Sequence, residues 1–491
     1  MGKATQMFGR EGSMIVSQLI ALAAARYPDT EAIVEGSVRL TYRTWQGRIS
    51  RVARALYARG IRKGDHIVFL LKNNLEHATV YWACQEIGAV ATPVNWRWSA
   101  SEIEFCVQDA AAAGVVFEQA SREAVLSAKS SLPSVATWIY VGDNTPTGCL
   151  AFSALLGEED SAANTQTAIS ESDTSIMLYT SGTTGRPKGV PRTHRAEYSA
   201  AIAHTIQSQN SVRDRTLGVM PLYHTMGVRS MIVMALLNGC LICLPDWSPE
   251  AAAKLIPTER VTSLYLVPTL FHDLMNVADF DSESAECVTK LGYAGAPMSS
   301  ALTRRLADHF RPQVFVNHLG STEIYTFTIC DRVLDKPTCA GRPGVFGRVR
   351  IVRPDSDRQS SPEDVLSQGE TGELIVSLSS PESFEGDWRR PEADEKAVRG
   401  GWYFTGDLVY EDKDGDIFVV GRVDDMVISG GENIYPVEVE DVVSRHPSVD
   451  EACVVGLPDE RWGQLVTAFV VPKRGSNGEF VSVDEQDLDN F

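Results

Sequence analysis

Short apolar runs alternate with amphipathic stretches through the first two thirds of the chain, and this alternation restricts the possible folds more than any other feature. Strand-like runs lie at 67–71, 175–179, 264–267 and 314–316, and helix-like stretches lie, for example, at 45–59 and 250–256. Such alternation is expected of α/β layers, in which helices cover a mostly parallel sheet. Because no stretch reaches about 18 consecutive apolar residues, we predict no membrane-spanning segment.

The N-terminal region contains an apolar stretch, Met14 to Ala25, that follows basic residues and ends in alanines, as a short signal peptide does. A polar turn follows at once. Ile15, Leu19 and Leu22 fall on one face of a helix. We therefore predict a first helix in this stretch.

The charge balance and the cysteines narrow the class of protein. The 491 residues carry a formal net charge of -19, which argues against a nucleic-acid backbone as a partner. At about 150 residues per domain, the length predicts two to four folding units. Cys240 and Cys243 form a lone C-x-x-C in an apolar run and are predicted to be buried strand residues. Reduced thiols suit the cytoplasm, and we predict that location.

The last third of the chain changes character twice. Residues 353–369 are polar and are predicted to form an exposed connection. Short strands joined by Asp-Gly turns follow in 372–421. A turn-rich stretch then leads to a predicted helix at 436–444, so the main boundary is placed at 422–425.

A loop rich in glycine and hydroxyl residues follows the predicted strand at 175–179. Its glycines free the backbone to bend around an anion, and its hydroxyl groups and Lys188 add donors and a positive charge. These features predict a phosphate-binding loop; on these residues alone, a surface turn of similar composition is the alternative. The P-loop pattern fits poorly because no Gly-Lys-Ser/Thr occurs and Pro187 removes a donor. The loop residues are Thr180, Ser181, Gly182, Thr183, Thr184, Gly185, Arg186, Pro187, Lys188 and Gly189.

The loop matches, nearly letter for letter, the phosphate loop of the adenylate-forming superfamily, and the chain resembles that superfamily of acyl- and aryl-CoA synthetases, luciferases and adenylation domains. The latter half is especially similar to 4-chlorobenzoate:CoA ligase and related aryl-CoA ligases. Further matching motifs occur in the expected order over essentially the whole chain. They are Pro221-Leu222-Tyr223-His224, Tyr293-Ala294-Gly295-Ala296-Pro297, Gly320-Ser321-Thr322-Glu323, Gly401-Trp402-Tyr403-Phe404-Thr405-Gly406-Asp407, Gly421-Arg422-Val423-Asp424-Asp425 and Ser429-Gly430-Gly431-Glu432-Asn433.

The resemblance implies an α/β fold with three parts. A large N-terminal domain at 1–421, built of layered α/β subdomains plus a β-barrel-like part, is expected to bind AMP and the acyl substrate. A hinge at 422–425, with Asp424 at its pivot, is expected to let a small mobile α+β C-terminal domain at 426–491 rotate between two half-reactions.

The resemblance also implies the chemistry: ATP activates a carboxylic acid as its acyl-adenylate with release of pyrophosphate, and the acyl group then passes to coenzyme A. Adenylation replaces the poorly leaving carboxylate oxide with AMP, and charge on the phosphoryl oxygens must be neutralised. The implied catalytic residues are Lys188, His224, Thr322 and Glu323. Glu323 is the implied Mg²⁺ ligand, since a hard cation prefers carboxylate oxygen. The implied ATP- and AMP-binding residues are Thr180, Ser181, Gly182, Thr183, Thr184, Gly185, Lys188, Gly295, Ala296, Pro297, Gly320, Ser321, Thr322, Glu323, Asp407 and Arg422.

Two positions need comment. The family usually has an aromatic residue, commonly Tyr, immediately before the glycine of the Thr-Glu motif, where it stacks on adenine, and here that position is Leu319. His224 lies, by resemblance, between the acyl site and the thiol tunnel, where it can orient a carboxylate. Its protonation state is not readable from sequence, so no proton transfer is assigned to it.

For the thioester-forming step, the resemblance implies coenzyme A contacts from Arg97, Gly430, Gly431 and Trp462. In this family a lysine near the C-terminus stabilises the adenylation transition state, and the chain stops at Phe491, well short of that lysine. We therefore expect a truncated C-terminal domain and slow adenylation, because an oriented cation at developing negative charge is commonly worth a few kcal/mol. Thioester formation from a supplied acyl-adenylate should suffer less, and equal losses in both half-reactions would contradict this expectation.

Acyl-pocket positions carried over from the aryl ligases mix apolar walls with hydroxyl and imidazole groups. A flat aromatic acid fits such a set, and the identity of any ring substituent stays open. Alternatives are a ligase for an alicyclic or medium-chain acid, a stand-alone adenylation domain that loads a carrier protein, and, remotely, a non-catalytic nucleotide-binding protein. The resemblance favours a homodimer, and the sequence leaves the oligomeric state open. The pocket positions are Ala203, His224, Thr225, Met226, Tyr265, Ala294, His318, Tyr325 and Thr326.

Overall fold

Helices and strands alternate from residue 18 to residue 319, and mostly strands follow. The structure is a computed structural model that describes residues 14–157, 167–180, 186–354, 360–429, 432–434, 436–459, 461–474, 479–483 and 488. The helices are α1 (Gln18–Arg26), α2 (Tyr42–Ala58), α3 (Leu75–Ile87), α4 (Ala100–Asp109), α5 (Arg122–Lys129), α6 (Phe152–Gly157), α7 (His194–Gln207), α8 (Thr225–Leu237), α9 (Pro249–Thr258), α10 (Pro268–Met275), α11 (Ser300–Phe310), α12 (Pro391–Ala397) and α13 (Pro436–Val443).

The strands follow the same chain order. They are β1 (Glu31–Glu35), β2 (Val38–Thr41), β3 (His66–Leu70), β4 (Val90–Pro93), β5 (Gly114–Glu118), β6 (Thr137–Val141), β7 (Leu150–Ala151), β8 (Thr174–Thr180), β9 (Lys188–Thr193), β10 (Arg215–Gly218), β11 (Cys240–Cys243), β12 (Ser263–Leu266), β13 (Lys290–Ala294), β14 (Val314–Leu319), β15 (Thr328–Cys330), β16 (Cys339–Pro343), β17 (Val349–Val352), β18 (Gly372–Ser377), β19 (Val398–Arg399), β20 (Trp402–Glu411), β21 (Ile417–Arg422), β22 (Val427–Ser429), β23 (Glu432–Ile434), β24 (Val449–Asp459) and β25 (Gly463–Pro472).

Packing divides the chain into two compact units. Unit 1 comprises the described residues within 1–338, 343–347 and 378–394, and unit 2 comprises those within 339–342, 348–377 and 395–491. Unit 2 therefore includes both sides of the boundary at 421/422. The division into domains at 1–421 and 426–491, joined by a hinge, stays a prediction.

Unit 1 contains two mainly parallel sheets. One has the strand order β7-β6-β5-β3-β4-β8-β9, in which β9 alone runs antiparallel to its neighbour. The other has the order β15-β14-β13-β12-β10-β11-β1-β2, with antiparallel pairs only at its two ends. Strands such as β3 are buried along their whole length because helices cover both faces, which explains why they are continuous apolar runs in the sequence.

The core of unit 1 is aromatic where α2 packs on α3. The rings of Trp45 and Trp82 meet edge-on, with centroids 6.5 Å apart. The hydroxyl of Tyr42 lies 2.8 Å from the carbonyl oxygens of both Met234 and Gly239, so the α2 start is tied to the end of α8. Such buried hydroxyls must find an acceptor, and here the acceptor comes from a helix almost two hundred residues away.

Unit 2 is largely antiparallel. Its first sheet has the order β17-β18-β20-β21-β16, with β19 paired to β20. A second sheet has the order β23-β22-β25-β24, and α13 packs against β24. Glycine at position 415, with φ +84°, lies in the predicted Asp-Gly turn between β20 and β21.

Most predicted elements are confirmed, and with them the α/β class of the fold. The predicted runs at 67–71, 175–179, 264–267 and 314–316 correspond to β3, β8, β12 and β14, and the stretches at 45–59, 250–256 and 436–444 correspond to α2, α9 and α13. Cys240 and Cys243 are buried, unpaired residues of β11, as predicted. The first helix begins at Gln18 instead of near Met14, and the N-cap residue Ser17 makes no side-chain cap hydrogen bond.

None of the helices in the described ranges combines the length and the apolar character that a bilayer crossing requires.

The start of α8 is held close to the loop that precedes it. An added Cβ at Gly227 would lie 2.3 Å from the carbonyl oxygen of Pro221 and 2.4 Å from that of Met220. These are backbone atoms, which cannot rotate away as side chains do. Only glycine therefore allows the helix to approach the Pro221-Leu222-Tyr223-His224 loop this closely.

We predict that Gly227→Ala destabilises the protein, because the backbone around residues 220 and 221 must shift to admit a methyl group. The expected loss is about 1–3 kcal/mol, seen as a lower melting temperature in thermal denaturation. The matched control is Gly47→Ala in α2, where nothing lies within 4 Å of the added Cβ. That change should stabilise slightly, because alanine loses less backbone entropy in a helix. Equal melting temperatures for the two variants would contradict this account.

Candidate functional site

The predicted phosphate loop joins two strands of unit 1. β8 and β9 pair antiparallel, and Thr180 and Lys188 face each other in register where the loop leaves and rejoins the sheet. Thr180 and Lys188 therefore mark the two ends of the predicted loop on neighbouring strands. Ser181, Gly182, Thr183, Thr184 and Gly185 lie outside the described residues.

Lys188 connects the phosphate loop to two carboxylates that are distant in sequence. Its Nζ lies 2.8 Å from Oε1 of Glu323, in the Thr-Glu motif, and 2.9 Å from Oδ2 of Asp387. The side chains of both acids are almost fully buried, at 7% and 1% exposed, respectively. Two of the predicted catalytic residues are thus in direct contact, and Asp387 is a third member that the sequence did not reveal.

The two carboxylates respond differently to this shared lysine. Burial acts to raise the pKa of Glu323, but the positive charge and hydrogen bond of Lys188 outweigh it and leave the pKa below its ordinary value. Burial raises the pKa of Asp387 to about 6, with Lys188 opposing and Glu323 reinforcing the shift. Burial also acts to lower the pKa of Lys188, yet the two acids prevail and raise it. Lys188 therefore stays cationic between two acids.

Oδ1 of Asp387 is buried and has no hydrogen-bond partner within the described part of the chain. An unpartnered carboxylate oxygen beside a second carboxylate is a suitable ligand for a hard divalent cation. Glu323 and Asp387 together thus fit the donor set that Mg²⁺ requires.

A buried arginine holds the backbone of the Thr-Glu motif through hydrogen bonds. Arg192, on β9, donates through Nη1 to the carbonyl oxygens of Thr322 and Glu323, at 3.1 and 2.9 Å. Its Nε donates to Glu197 of α7 at 2.5 Å, and both side chains are fully buried. The guanidinium also lies 3.7 Å from the ring centroid of Tyr325. Arg192 therefore fixes the backbone on which Thr322 and Glu323 are carried.

The predicted adenine-side residues lie at the carboxyl ends of two neighbouring parallel strands. Gly295, with φ +87°, turns the chain directly after β13, and Gly295, Ala296 and Pro297 are exposed. Gly320 follows β14, and an added Cβ there would lie 2.2 Å from the carbonyl oxygen of Tyr325. Leu319 is the last residue of β14. This edge of a parallel sheet is where open α/β folds commonly bind ligands.

His224 occupies the N-cap position of α8, and its ring lies 4.7 Å from that of Tyr223. The residue is exposed, and desolvation by the surrounding protein lowers the pKa of its imidazole. Neutral imidazole is therefore favoured near pH 7. A neutral ring at a helix N-terminus can donate a hydrogen bond through its N–H to a bound carboxylate.

The predicted acyl-pocket residues come from five elements of unit 1 and its connecting loops. Tyr265 and His318 lie with ring centroids 5.4 Å apart, and Ala294 is the register partner of His318. An added Cβ at Gly292 would lie 2.8 Å from the ring of Tyr265, so this glycine makes room for the aromatic side chain. Ala203 lies on α7, Thr225 and Met226 on the first turn of α8, and Tyr325 and Thr326 follow the Thr-Glu motif.

Two charged residues near this pocket were not predicted from the sequence. Arg229, on α8, donates to the hydroxyls of Tyr265 and Thr326 and to the carbonyl oxygen of Tyr325. Glu382 is buried, and burial raises its pKa to about 7 against the opposing charges of Arg229 and Arg192. The sequence of α8 is largely apolar, and the only signal for Arg229 is that a charged residue lies among apolar neighbours. Nothing in the sequence signals Glu382 or Asp387, which is 199 positions from Lys188.

In unit 2, the predicted ribose-binding residues form an ion pair. Asp407 on β20 and Arg422 on β21 are register partners, and Oδ1 of Asp407 accepts from Nη1 of Arg422 at 2.6 Å. The hydroxyl of Thr405 accepts from the backbone amide of Asp407 and donates to the carbonyl oxygen of Leu374. Gly406, within β20, has a φ of +75°, a left-handed conformation that glycine adopts without strain.

The residues predicted to bind coenzyme A are exposed where they are described. The Arg97 guanidinium lies 3.9 Å from the ring centroid of Trp96 in unit 1. Trp462 in unit 2 is 45% exposed, with the Arg461 guanidinium 4.8 Å from its ring. Asp424 lies in an exposed turn after β21. Gly430 and Gly431 lie outside the described residues.

Comparison with known proteins supplies the family. The model of the AMP-binding enzyme family matches residues 20–386, and that of the AMP-binding enzyme C-terminal domain matches residues 438–491. A feruloyl-CoA synthase of an Amycolatopsis species is 32% identical over 455 residues, covering 91% of this chain and 87% of that protein. A 4-chlorobenzoate–CoA ligase of an Arthrobacter species is 32% identical over 459 residues, covering 92% and 85%.

Another relative is named for a different kind of acid, and a solved structure shares the fold. A long-chain-fatty-acid–CoA ligase of Mycobacterium tuberculosis is 32% identical over 462 residues, covering 92% of this chain and 87% of that protein. The solved structure of ATP-bound MatB from Rhodopseudomonas palustris superposes with a TM-score of 0.84 at 26% identity, covering 96% of this chain and 91% of that one.

The chain belongs to the AMP-binding enzyme family, and thus to the adenylate-forming superfamily. It is an AMP-forming acid–thiol ligase, and ATP is a substrate of this class. The predicted class of enzyme is thereby confirmed. The roles predicted for individual residues stay predictions.

Glu382 should make stability depend on pH. Its folded-state pKa of about 7 lies above the ordinary 4.5, so the stabilisation is fully present below about pH 4.5 and is lost as the pH rises through 7. We predict that Glu382→Gln melts at a higher temperature than wild type at about pH 8 and at a similar temperature at about pH 5. The shift corresponds to about 3 kcal/mol.

Thermal denaturation at the two pH values measures this difference. Glu286→Gln, at an exposed acid of the same unit, is the control and should leave the pH dependence unchanged. If the melting temperatures of wild type and Glu382→Gln change equally between the two pH values, Glu382 is not the source of the pH dependence.

Proposed function

We propose that this protein is an aryl-CoA ligase, which adenylates a benzoate-like acid with ATP and Mg²⁺ and then transfers the acyl group to coenzyme A. The single observation that carries the proposal is the contact of Lys188, at the base of the phosphate loop, with Glu323 of the Thr-Glu motif. This contact brings a cation and a metal-binding carboxylate together where the triphosphate is expected.

In the first half-reaction, a carboxylate oxygen of the acid attacks the α-phosphorus of ATP, and the bond to the bridging oxygen of pyrophosphate breaks. Lys188 is proposed to neutralise charge on the β- and γ-phosphates, and Thr322 to bind the α-phosphate through its hydroxyl. Glu323 and Asp387 would hold Mg²⁺, which supplies charge neutralisation when bound. In unit 2, Asp407 and Arg422 are proposed to bind the ribose.

In the second half-reaction, the sulfur of coenzyme A attacks the acyl carbon and AMP leaves. His224 is proposed to orient the carboxylate in the first step and the acyl carbonyl in the second. Arg97 and Trp462 offer a guanidinium and an aromatic face to a phosphorylated adenine. Relatives named as CoA ligases support coenzyme A as the thiol.

The proposal of an aromatic acid rests on the pocket walls. The rings of Tyr265 and His318 lie at right angles to each other, and the small side chains of Ala203 and Ala294 belong to the same predicted pocket. The hydroxyl, imidazole and guanidinium groups nearby would be desolvated by a long alkyl chain without gaining hydrogen bonds. Relatives named for ferulate and 4-chlorobenzoate support the same class of acid.

The test is a panel of aromatic, alicyclic, medium-chain and long-chain acids with ATP, Mg²⁺ and coenzyme A. We expect AMP and an acyl-CoA mass with aryl acids, and no more than traces with long chains. A second arm supplies the synthetic acyl-adenylate and scores the thioester alone. AMP from alkyl acids only would overturn the aromatic assignment, and acyl transfer to a carrier protein but not to coenzyme A would overturn the thiol assignment.

We predict that Lys188→Met lowers the rate of AMP formation from ATP by roughly 10²–10³-fold, because a positioned cation is lost at the departing pyrophosphate. Thioester formation from the supplied acyl-adenylate should fall far less, since no β- or γ-phosphate is present. Lys254→Met, at an exposed position of α9, is the control. Equal losses in both assays would assign Lys188 a structural role instead.

A further inference from the structure

One buried arginine of unit 1 makes no ion pair within the described part of the chain. This residue is Arg229, which is 2% exposed. Its two terminal nitrogens donate to neutral oxygens of Tyr265, Tyr325 and Thr326, and its Nε has no partner in the described ranges. A guanidinium that is buried with an unused donor is costly unless an acceptor reaches it.

Two histidines beside this arginine also have unused ring nitrogens. His318 and His204 stack with ring centroids 5.1 Å apart, and both rings contact Tyr265 edge-on. Both ring nitrogens of His318 lack a hydrogen-bond partner among the described residues, and so does Nδ1 of His204. Burial, and then the charge of Arg229, lowers the pKa of both rings well below the ordinary range, so both are neutral. A neutral imidazole can donate or accept one hydrogen bond at each side.

The position of this cluster relative to His224 gives its place in the pocket. His224 caps α8, and Arg229 follows five residues later on the same helix, so their Cα atoms are separated by roughly 7 Å along the helix axis. Five residues also turn the helix by about 140°, so Arg229 does not share a face with His224 and instead contacts Tyr265 and Thr326. We take the reactive carboxylate to lie at His224, which leaves Arg229 roughly one aromatic ring further along the helix axis. The unused polar groups are then at the far end of the acid.

We propose that Arg229, Tyr265 and His318 form a polar subsite that selects an aromatic acid carrying a hydrogen-bonding oxygen, as hydroxyl or second carboxylate, on the ring end remote from the reactive carboxylate. This inference rests on the proposed function. An oxygen substituent satisfies the unpaired donors, whereas a hydrogen or chlorine leaves them buried and unpaired. A site built to bond such a group rejects the analogue that lacks it far more strongly than an apolar pocket rejects a methylene.

The charge of Arg229 also acts on the buried carboxyl group of Glu382, and no ion pair joins the two within the described residues. If the ligand carries a neutral hydroxyl, an ionised Glu382 is expected to balance the positive charge of the guanidinium. A second carboxylate balances the guanidinium itself and leaves Glu382 protonated. Hydroxybenzoate and benzene dicarboxylate are therefore separate arms of the test.

The experiment measures kcat/KM for AMP formation with benzoate, 3- and 4-hydroxybenzoate, 3- and 4-chlorobenzoate, and benzene-1,3- and 1,4-dicarboxylate. For wild type, we expect at least one oxygen-bearing acid to exceed benzoate and both chlorobenzoates by roughly tenfold or more. In Arg229→Met, the ratio of that acid to benzoate should fall by a similar factor, and benzoate itself should lose less. Arg304→Met, at an exposed position of α11, should keep the wild-type ratio.

A second variant keeps the test valid if Arg229→Met fails to fold. Tyr265→Phe removes a hydroxyl of the subsite while the arginine remains, and the same ratio should fall severalfold. Equal kcat/KM for substituted and unsubstituted acids, or a fall by the same factor for every acid in both variants, would overturn the subsite. An absence of AMP with every aryl acid would instead refute the proposed function, so the two failures are distinguishable.

Discussion

The candidate site depends on the ammonium group of Lys188, which joins three segments that are distant in the chain. Lys188 begins β9, Glu323 follows β14, and Asp387 lies in the segment 378–394, yet Nζ lies within 2.9 Å of both acids. A buried charge must be paired or hydrogen-bonded, so this contact fixes the relative position of the segments in unit 1. The same contact leaves one more carboxylate than cation, which suits a site that receives a divalent ion.

Arginines behind this contact give the polar groups their orientation. Arg192 donates hydrogen bonds to the carbonyl oxygens of Thr322 and Glu323 and forms an ion pair with Glu197. The Thr-Glu motif is therefore positioned by a charged group that is fully buried. Arg229 is also buried, but it makes no ion pair with any residue that the structure describes. Buried ion pairs contribute little net stability, and their value is often in specifying one arrangement. We infer that unit 1 keeps these arginines because they position substrate-binding groups.

The elements and motifs that could be predicted from the sequence are those that a short, contiguous stretch of residues specifies. β3, β8, β12 and β14 are apolar runs because both faces of their sheets are covered, so the pattern alone locates them. Lys188, Thr322 and Glu323 sit in short strings that can be read without knowing the fold. The start of α1 was misplaced because Met14 and Ile15 are as apolar as the helix that follows, and no capping side chain marks the boundary.

The sequence by itself determined the α/β class, most strands and helices, and the family to which the enzyme belongs, because each is written in periodicity or in a contiguous motif. The tertiary structure decided that Asp387 shares the lysine of the phosphate loop and that Arg229, His318 and Tyr265 form one polar cluster. These pairings join residues tens to hundreds of positions apart. Their chemistry arises only when strands and helices pack and water is excluded, because burial makes an unpaired charge or donor significant.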